Sequence, residues 1–593
     1  MMNRETLLHL LAVARGDEPA DVLLTNARVV NVFTGEVLET DVALADETIA
    51  AVGDGYTGKE IIDLNGATLV PGLIDTHIHV ESTMVSPPQF ARAVVPHGVT
   101  TAVTDPHEIA NVAGAAGIRY MLAASEGLPL TIFVNLPSCV PATHMGTAGA
   151  TLAADDLLAL RGLPRVLGLA EFMNVPGAVL GLPGALEKLL AFQDGHIDGH
   201  APGVTGKWLQ AYLAAGPATD HESMTAAEAL EKVRSGMHVL IREATAARNL
   251  HALLPAITPG NARRFAFASD DRHPAELLDE GCVDHQIRLA VAAGLDPLTA
   301  IQMATLNAAE AFGLTDRGAI APGRRADLVV TPSLTDFRAA QVFVGGRLVA
   351  QDGAPVGEWP LPQPDESAVR GSIHVDPDAL SFRIPAEGTR VRAVGVIPDQ
   401  LVTEERIMEA RIVSTDSTDL TEKSVESVQS VEKEAVSDTT RDLLKLAVVE
   451  RHGRGGGVGL GFIHGVGLQR GAIAGSVGHD CHNLTVAGTT DADMRAAVRA
   501  VKELGGGLVA VLDGQVLGAV PLPIGGIMSD QPVEVVRAQM ETLLECVKEL
   551  GSPLHDPFMV LGFMALEVIP KLKLTDQGLV DVEKFDFVSL WVG

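Results

Sequence analysis

Residues 72–313 alternate strand-like and helix-like stretches, and this alternation limits the fold more than any other feature of the chain. The strand-like runs are LIDTHIH, GVTTAVTDP, LTIFVNLP, RVLGLAEFMN, HIDGHAP, ATDHE, HVLIREAT and FAFASDD. The stretches AGAAGIRYMLAASEG, AADDLLALRG, ALEKLLAFQ, GKWLQAYLAAG, TAAEALEKVRSG and PAELLDEG read as the helices between them. Eight strands alternating with helices match a (β/α)8 barrel, which takes about 250 residues. A doubly wound open sheet shares the alternation. The polar residues decide between the two. His77 and His79, Asp105 with His107 and Glu108, Glu171, His200, His221, Glu243, and Asp270 with Asp271 stand at the C-terminal ends of the runs. A barrel gathers all its strand ends at one mouth, whereas an open sheet spreads them along an edge.

The flanks read differently. An amphipathic helix opens the chain, and residues 21–70 then alternate short β-rich runs with Thr-Gly and Asp-Gly turns. A similar pattern returns at 319–350. The economical arrangement is one β-sandwich built from residues 1–71 and 314–365, with the barrel, 72–313, inserted between them. The run DPLTAIQMATLNAAEAFG is expected as one helix leading back to the sandwich. A Pro-rich linker over 352–371 precedes an α+β C-terminal domain, 366–593. Within that domain, 414–440 is rich in Ser, Thr and acids, and is expected to be a flexible acidic loop.

Composition removes several classes of function. The formal net charge of −31 over 593 residues repels nucleic acid and anionic membrane. No apolar run reaches the length of a membrane span. The N-terminus lacks the unbroken apolar segment and small-residue cleavage site of a signal peptide. The four cysteines, Cys139, Cys282, Cys481 and Cys546, are scattered and form no Cys-x-x-Cys pair. Free thiols in a reducing, cytoplasmic setting follow.

The strand ends carry the chemistry. His77 and His79 are two apart on a strand and project to the same side. Glu171 ends the fourth strand, His200 the fifth, His221 the sixth and Asp270 the eighth. Any one of these histidines alone is more simply a packed core residue. Four imidazoles and two carboxylates around one mouth suffice for two divalent metals sharing a carboxylate. A set of N and O donors without thiolate suits Mn, Fe or Zn.

The strings PGLIDTHIHVES, TAVTDPHEIANV, GLAEFMNVPG, DGHAPGVTG, TDHES and ASDDRHP, with NAAEAFGLTDRGAIAPGRRADLVV after the barrel, resemble the bacterial adenine deaminases of the amidohydrolase superfamily. The strings GLQRGAIAGSVGHDCHN and LPLPIGGIMSD look like that family's C-terminal domain, so the likeness spans nearly the whole chain. It implies a metal-dependent hydrolase barrel of the TIM kind with a flanking β-sandwich and an α+β C-terminal domain. It also implies hydrolytic deamination of adenine to hypoxanthine and ammonia, in purine salvage, by hydroxide held between two metals. The metals expected are Mn or Fe, with Zn as a further option. Glu171 is the expected bridge, and no lysine stands at this strand end to serve as a carboxylated alternative. Asp270 is the expected proton carrier. Adenine is the expected small-molecule partner, with a homo-oligomer, dimer or higher, as the assembly.

Several roles stay open. Glu81 lies two residues past His79 and can bind substrate, act as an acid or fix a histidine tautomer. Asp105, His107 and Glu108 can hold substrate, bind an extra metal or cap the following helix. Asp271, Arg272 and His273 stand beside Asp270, where one can contact the purine. His479, Asp480, His482 and Asn483 crowd a Gly-rich turn that reads as hydrogen-bonded rather than catalytic. Two other readings remain. One is a different binuclear amidohydrolase, such as a sugar-phosphate deacetylase, which a basic cluster at the mouth would mark. The other is a non-catalytic scaffold, which missing ligands would mark.

Overall fold

The computed structural model describes residues 3–398, 400–414 and 432–593. The chain divides into two compact units. The first comprises Met1–His107, Ile118–Cys139 and Leu152–Asp365, and the second comprises Glu108–Gly117, Val140–Thr151 and Glu366–Gly593.

The centre of the first unit is a ring of eight strands. In chain order they are β1 Leu73–Ile78, β2 Val99–Thr104, β3 Thr131–Leu136, β4 Val166–Phe172, β5 His196–Gly199, β6 Thr219–Asp220, β7 His238–Arg242 and β8 Phe265–Ala268. β1 to β5 pair in parallel, as do β6 to β8. Single backbone hydrogen bonds, among others, join these arcs. The Ala218 N–H donates to the Ile197 carbonyl between β6 and β5 (2.9 Å), and the Asp270 N–H donates to the His77 carbonyl between β8 and β1 (2.9 Å). The (β/α)8 architecture expected from the alternation is present.

Ile74, Val103, Leu240, Ala266 and Ala268 fill the interior, with Phe133 and Leu167 packed against them. Arg317 closes the N-terminal end. Its Nη1 donates to Thr101 Oγ1 (2.9 Å), and its guanidinium lies over the Phe133 ring, 5.0 Å from the centroid. Because side chains alternate along a strand, the positions two beyond Val103, Leu240 and Ala268 face the mouth. Val103 thus leads to Asp105, Leu240 to Arg242 and Ala268 to Asp270.

One nine-stranded sheet flanks the barrel in sequence. Its two chain segments join where Thr68–Pro71 runs antiparallel to Leu328–Thr331. Leu24, Val29, Val42, Leu44, Leu69, Leu328, Val330 and Phe343 form its core. The helix Arg4–Ala14 packs Leu10 and Val13 against Leu23, Ala43 and Ala50. The single helix expected at 296–313 is instead two, Pro297–Ala304 and Leu306–Ala311. Thr305 breaks it with φ −137° and ψ −85°, and its hydroxyl donates back to the Ile301 carbonyl (2.6 Å).

The second unit is α+β. A nine-stranded sheet packs against the helix Asp491–Glu503, whose Met494, Ala497, Val498 and Val501 meet Ala472, Ala474, Val486 and Val509. Residues 140–151 belong to it through specific bonds. Thr143 Oγ1 donates to Glu567 (2.5 Å), Thr147 Oγ1 to Asp576 (2.7 Å) and Thr575 Oγ1 to the Met145 carbonyl (2.6 Å). The ends of the expected acidic loop 414–440 are ordered strand rather than loop. Arg411–Ser414 pairs antiparallel with Lys433–Val436, because Ala435 is buried against Ile384 and Val391. Residues 415–431 of that stretch lie outside the described residues.

Candidate metal centre

The C-terminal ends of the barrel strands bring the six expected ligands together. His77 Nε2 and His79 Nε2 are 3.2 Å apart. Asp270 Oδ1 is 3.3 Å from His79 Nε2 and 3.9 Å from His77 Nε2. The Glu171 carboxylate divides between two sides. Its Oε1 faces His79 Nε2 (3.5 Å), while its Oε2 faces His200 Nδ1 (2.6 Å) and His221 Nε2 (3.2 Å). The groups His77–His79–Asp270 and His77–Glu171–His221 each hold their donor atoms within 4.8 Å of one another, all on buried residues.

Local structure aims these atoms. His79 Nδ1 donates to the Asp105 carbonyl (2.9 Å), and His77 Nδ1 lies 3.3 Å from Asp198 Oδ2. Both rings are thereby left with Nε2 toward the centre. Asp270 has φ 57°, an unusual backbone state for a residue other than glycine. Its carboxylate is gripped from behind by Arg242, whose Nη1 lies 3.0 Å from Oδ2. Asp220, just before His221, is fixed by the buried Lys232 ammonium (2.8 Å). Lys232 also donates to Glu228 (2.8 Å) and to the Ala201 carbonyl (2.7 Å).

The electrostatics follow from burying these groups together. Burial pushes the Glu171 carboxyl up, but charged His200 and hydrogen bonds from His107, His200 and His221 outweigh it and hold Glu171 well below the usual range. Burial likewise opposes ionisation of Asp270, yet His79, Arg242 and His221 keep it well below the usual range. His221 is pulled down by burial and raised further by Glu171, settling at about 9. His79 rises above its ordinary value in the same way, against burial and the His107 charge, through Asp270, Asp271 and Glu171. His79 and His221 therefore hold protons that a cation would displace. The set fits divalent ions: N and O donors, buried, with the second nitrogens of His77 and His79 already engaged.

Comparison with known proteins gives concordant results. The amidohydrolase family model matches residues 68–349, and the adenine deaminase C-terminal domain model matches residues 419–586. The chain is 50% identical to the adenine deaminase of Desulfatibacillum aliphaticivorans over 98% of this chain and 99% of that protein. It is 49% identical to adenine deaminase 2 of Carboxydothermus hydrogenoformans over 98% and 99%, and 46% identical to the adenine deaminase of Cereibacter sphaeroides over 99% and 100%. The chain belongs to the adenine deaminase family.

In this member of the adenine deaminase family the remaining expected residues divide. His107 Nδ1 joins the centre, 3.3 Å from Glu171 Oε1 and 3.2 Å from Asp105 Oδ2. Asp271 accepts from Ser82 Oγ (2.5 Å). Glu81 is buried in the short 3-10 helix Val80–Thr83. His273 begins the helix Pro274–Asp279, and its N–H donates to Thr245 Oγ1 (3.0 Å). Arg272 donates to the Glu243 carbonyl (2.8 Å) and to Glu280 (2.6 Å). Glu108 belongs to the second unit, where its carboxylate takes His479 Nδ1 (2.8 Å) and His482 Nε2. The turn at 479–483 is hydrogen-bonded, with Asn483 Nδ2 donating to the Thr147 carbonyl (2.9 Å) and the His479 ring stacked on Phe563.

Three residues of the centre escaped the sequence reading. Asp198 was legible, since it alternates with His200 on β5. Glu222 follows His221 and lies 3.9 Å from His200 Nδ1. Arg242 was displaced by Glu243 as the residue ending β7. The strand puts Arg242 inward, while Glu243 turns away and accepts the Leu250 N–H (3.2 Å).

Proposed function

We propose that the barrel mouth deaminates adenine by hydrolysis, releasing hypoxanthine and ammonia. The arrangement that supports this most directly is the division of Glu171 between the His79 side and the His200–His221 side, with Asp270 on the former. Two divalent ions held by His77, His79, Glu171, His200, His221 and Asp270 would acidify a water to near neutrality and so supply the nucleophile. Mn or Fe suits these donors, with Zn as a further option.

The chain's own residues do the rest. At C6 of adenine a C–O bond forms and the C–N bond to the exocyclic amine breaks. Asp270 takes the proton from the attacking water and delivers it to the departing nitrogen. Arg242 holds Oδ2 of Asp270, which leaves Oδ1 directed toward His77 and His79 for that transfer. Glu81, Asp271 and His273 are the candidates for contact with the purine. A sugar-phosphate deacetylase would want a free cation at the mouth, and Arg242 is committed to Glu222 and Asp270. Free thiols at all four cysteines accord with a cytoplasmic setting. Among the described residues, no helix is long and apolar enough to cross a membrane. A homo-oligomeric assembly is part of the same reading.

The test is direct. The full chain, stripped of metal and reconstituted with Mn2+ or Fe2+, should release ammonia from adenine while the ultraviolet spectrum shifts to that of hypoxanthine. No turnover with either metal would refute the proposal.

A further inference from the structure

The donor set at the mouth exceeds what two ions need. Asp105 Oδ2, His107 Nδ1, Glu171 Oε1 and His79 Nε2 lie within 4.8 Å of one another, on four buried residues. Only His79 and Glu171 of these belong to the six-ligand set. Asp105 and His107 are placed together by the turn that links β2 to the helix His107–Ala124. The N-cap residue of that helix is Pro106, which makes no side-chain cap bond. The Asp105 carboxylate turns to His107 Nδ1, at 3.2 Å.

Charge points the same way. Glu81, Asp105, Glu171, Asp198, Glu222, Asp270 and Asp271 stand at or just behind the mouth, five of them buried. Arg242 pairs with Glu222 and Asp270 among them. Buried carboxylates are costly without a cation, and a divalent ion beside Asp105 and Glu171 would offset theirs.

We propose a third divalent-cation position beside the pair, held by Asp105, His107 and Oε1 of Glu171. This rests on the binuclear reading above. His79 gives its one available nitrogen to the pair, so three protein donors remain for the third ion, with solvent completing its shell. A carboxylate oxygen has two lone pairs, so Glu171 Oε1 can serve a neighbouring ion as well as the pair. The position suits an ion that accepts mixed N and O donors, such as Mn2+ or Fe2+.

The experiment counts ions rather than turnover. Metal-free full-length chain is titrated with Mn2+, free Mn2+ is read by electron paramagnetic resonance, and bound metal is checked by elemental analysis. The native chain should bind three Mn2+ and D105N/H107N two, with H107Q alone as the alternative should the double variant fail to fold. Circular dichroism establishes folding. Two ions in both proteins would overturn the third position and leave the pair standing. Two in the native chain and one in the variant would make His107 a ligand of the pair, which also overturns it. No tight ion in the native chain would sink the binuclear reading itself.

Discussion

Arg242→Met probes the electrostatic account of the mouth. Arg242 is only 6% exposed. Its guanidinium meets Asp270 Oδ2 at 3.0 Å, Glu222 Oε2 at 2.9 Å and Asn249 Oδ1 at 3.1 Å. Methionine keeps much of the stem but leaves two carboxylates without their cation. Removing one partner of a buried ion pair costs about 3–5 kcal/mol. Two lost hydrogen bonds to charged groups, at about 1.5–3 kcal/mol each, give the same order. A chain of two compact units is poorly described by one unfolding transition, so the readout should be local. Amide hydrogen exchange of metal-free protein over 238–242 and 265–270 reports the opening of β7 and β8. A loss of about 3 kcal/mol speeds opening roughly 150-fold, since 1.4 kcal/mol is a factor of ten. Adding Glu222→Gln removes one stranded charge, so the double variant should exchange more slowly than R242M alone. Exchange in R242M within about threefold of the native chain would refute the reasoning, because opening would then have lost only about 0.7 kcal/mol.

Three further outcomes are expected. Asp270→Asn should lower kcat by about 10²-fold or more with little change in KM for adenine, measured as ammonia release. Equal loss in both would assign Asp270 to binding. In the metal-free protein His221 sits at about 9, above its unfolded value near 6.5. Its protonation therefore stabilises that form fully below about pH 6.5, and the contribution is lost as pH rises through 9. Metal must displace this proton, so Mn2+ affinity measured against a chelator should climb about tenfold per unit between pH 7 and 8. A flat profile would contradict it. In the second unit, Glu108→Gln should weaken the bonds to His479 and His482 at a cost of about 1–3 kcal/mol. Exchange over 476–484 should rise accordingly, and unchanged protection there would show that the carboxylate does not hold the turn.

Much of the barrel was legible. Eight runs of the right length, seven of them with a polar residue at the C-terminal end, sit where the eight strands are, because strand and helix periodicities are properties of short windows. The convergence of His77, His79, Glu171, His200, His221 and Asp270 followed from the same alternation, since a closed ring sends every strand end to one mouth. Less was legible where a decision depended on a single residue. Arg242 and Glu243 are adjacent, and a shift of one position reverses which faces inward. Thr305 splits a run whose apolar pattern reads as one helix, because its hydroxyl competes for a backbone carbonyl.

Sequence alone determined the architecture and the kind of donor atoms at the mouth, because both depend on patterns repeated along the chain. Tertiary structure decided what depends on residues far apart in sequence. It turned Arg242 onto Asp270, set Asp198 behind His77, and split the Glu171 carboxylate between two histidine groups. It also parted His107 from its neighbour: His107 meets Glu171, while Glu108 meets His479 and His482 more than 370 residues away. No local pattern carries that choice. Adjacent side chains at a helix start point in different directions, and only packing settles which partner each one reaches.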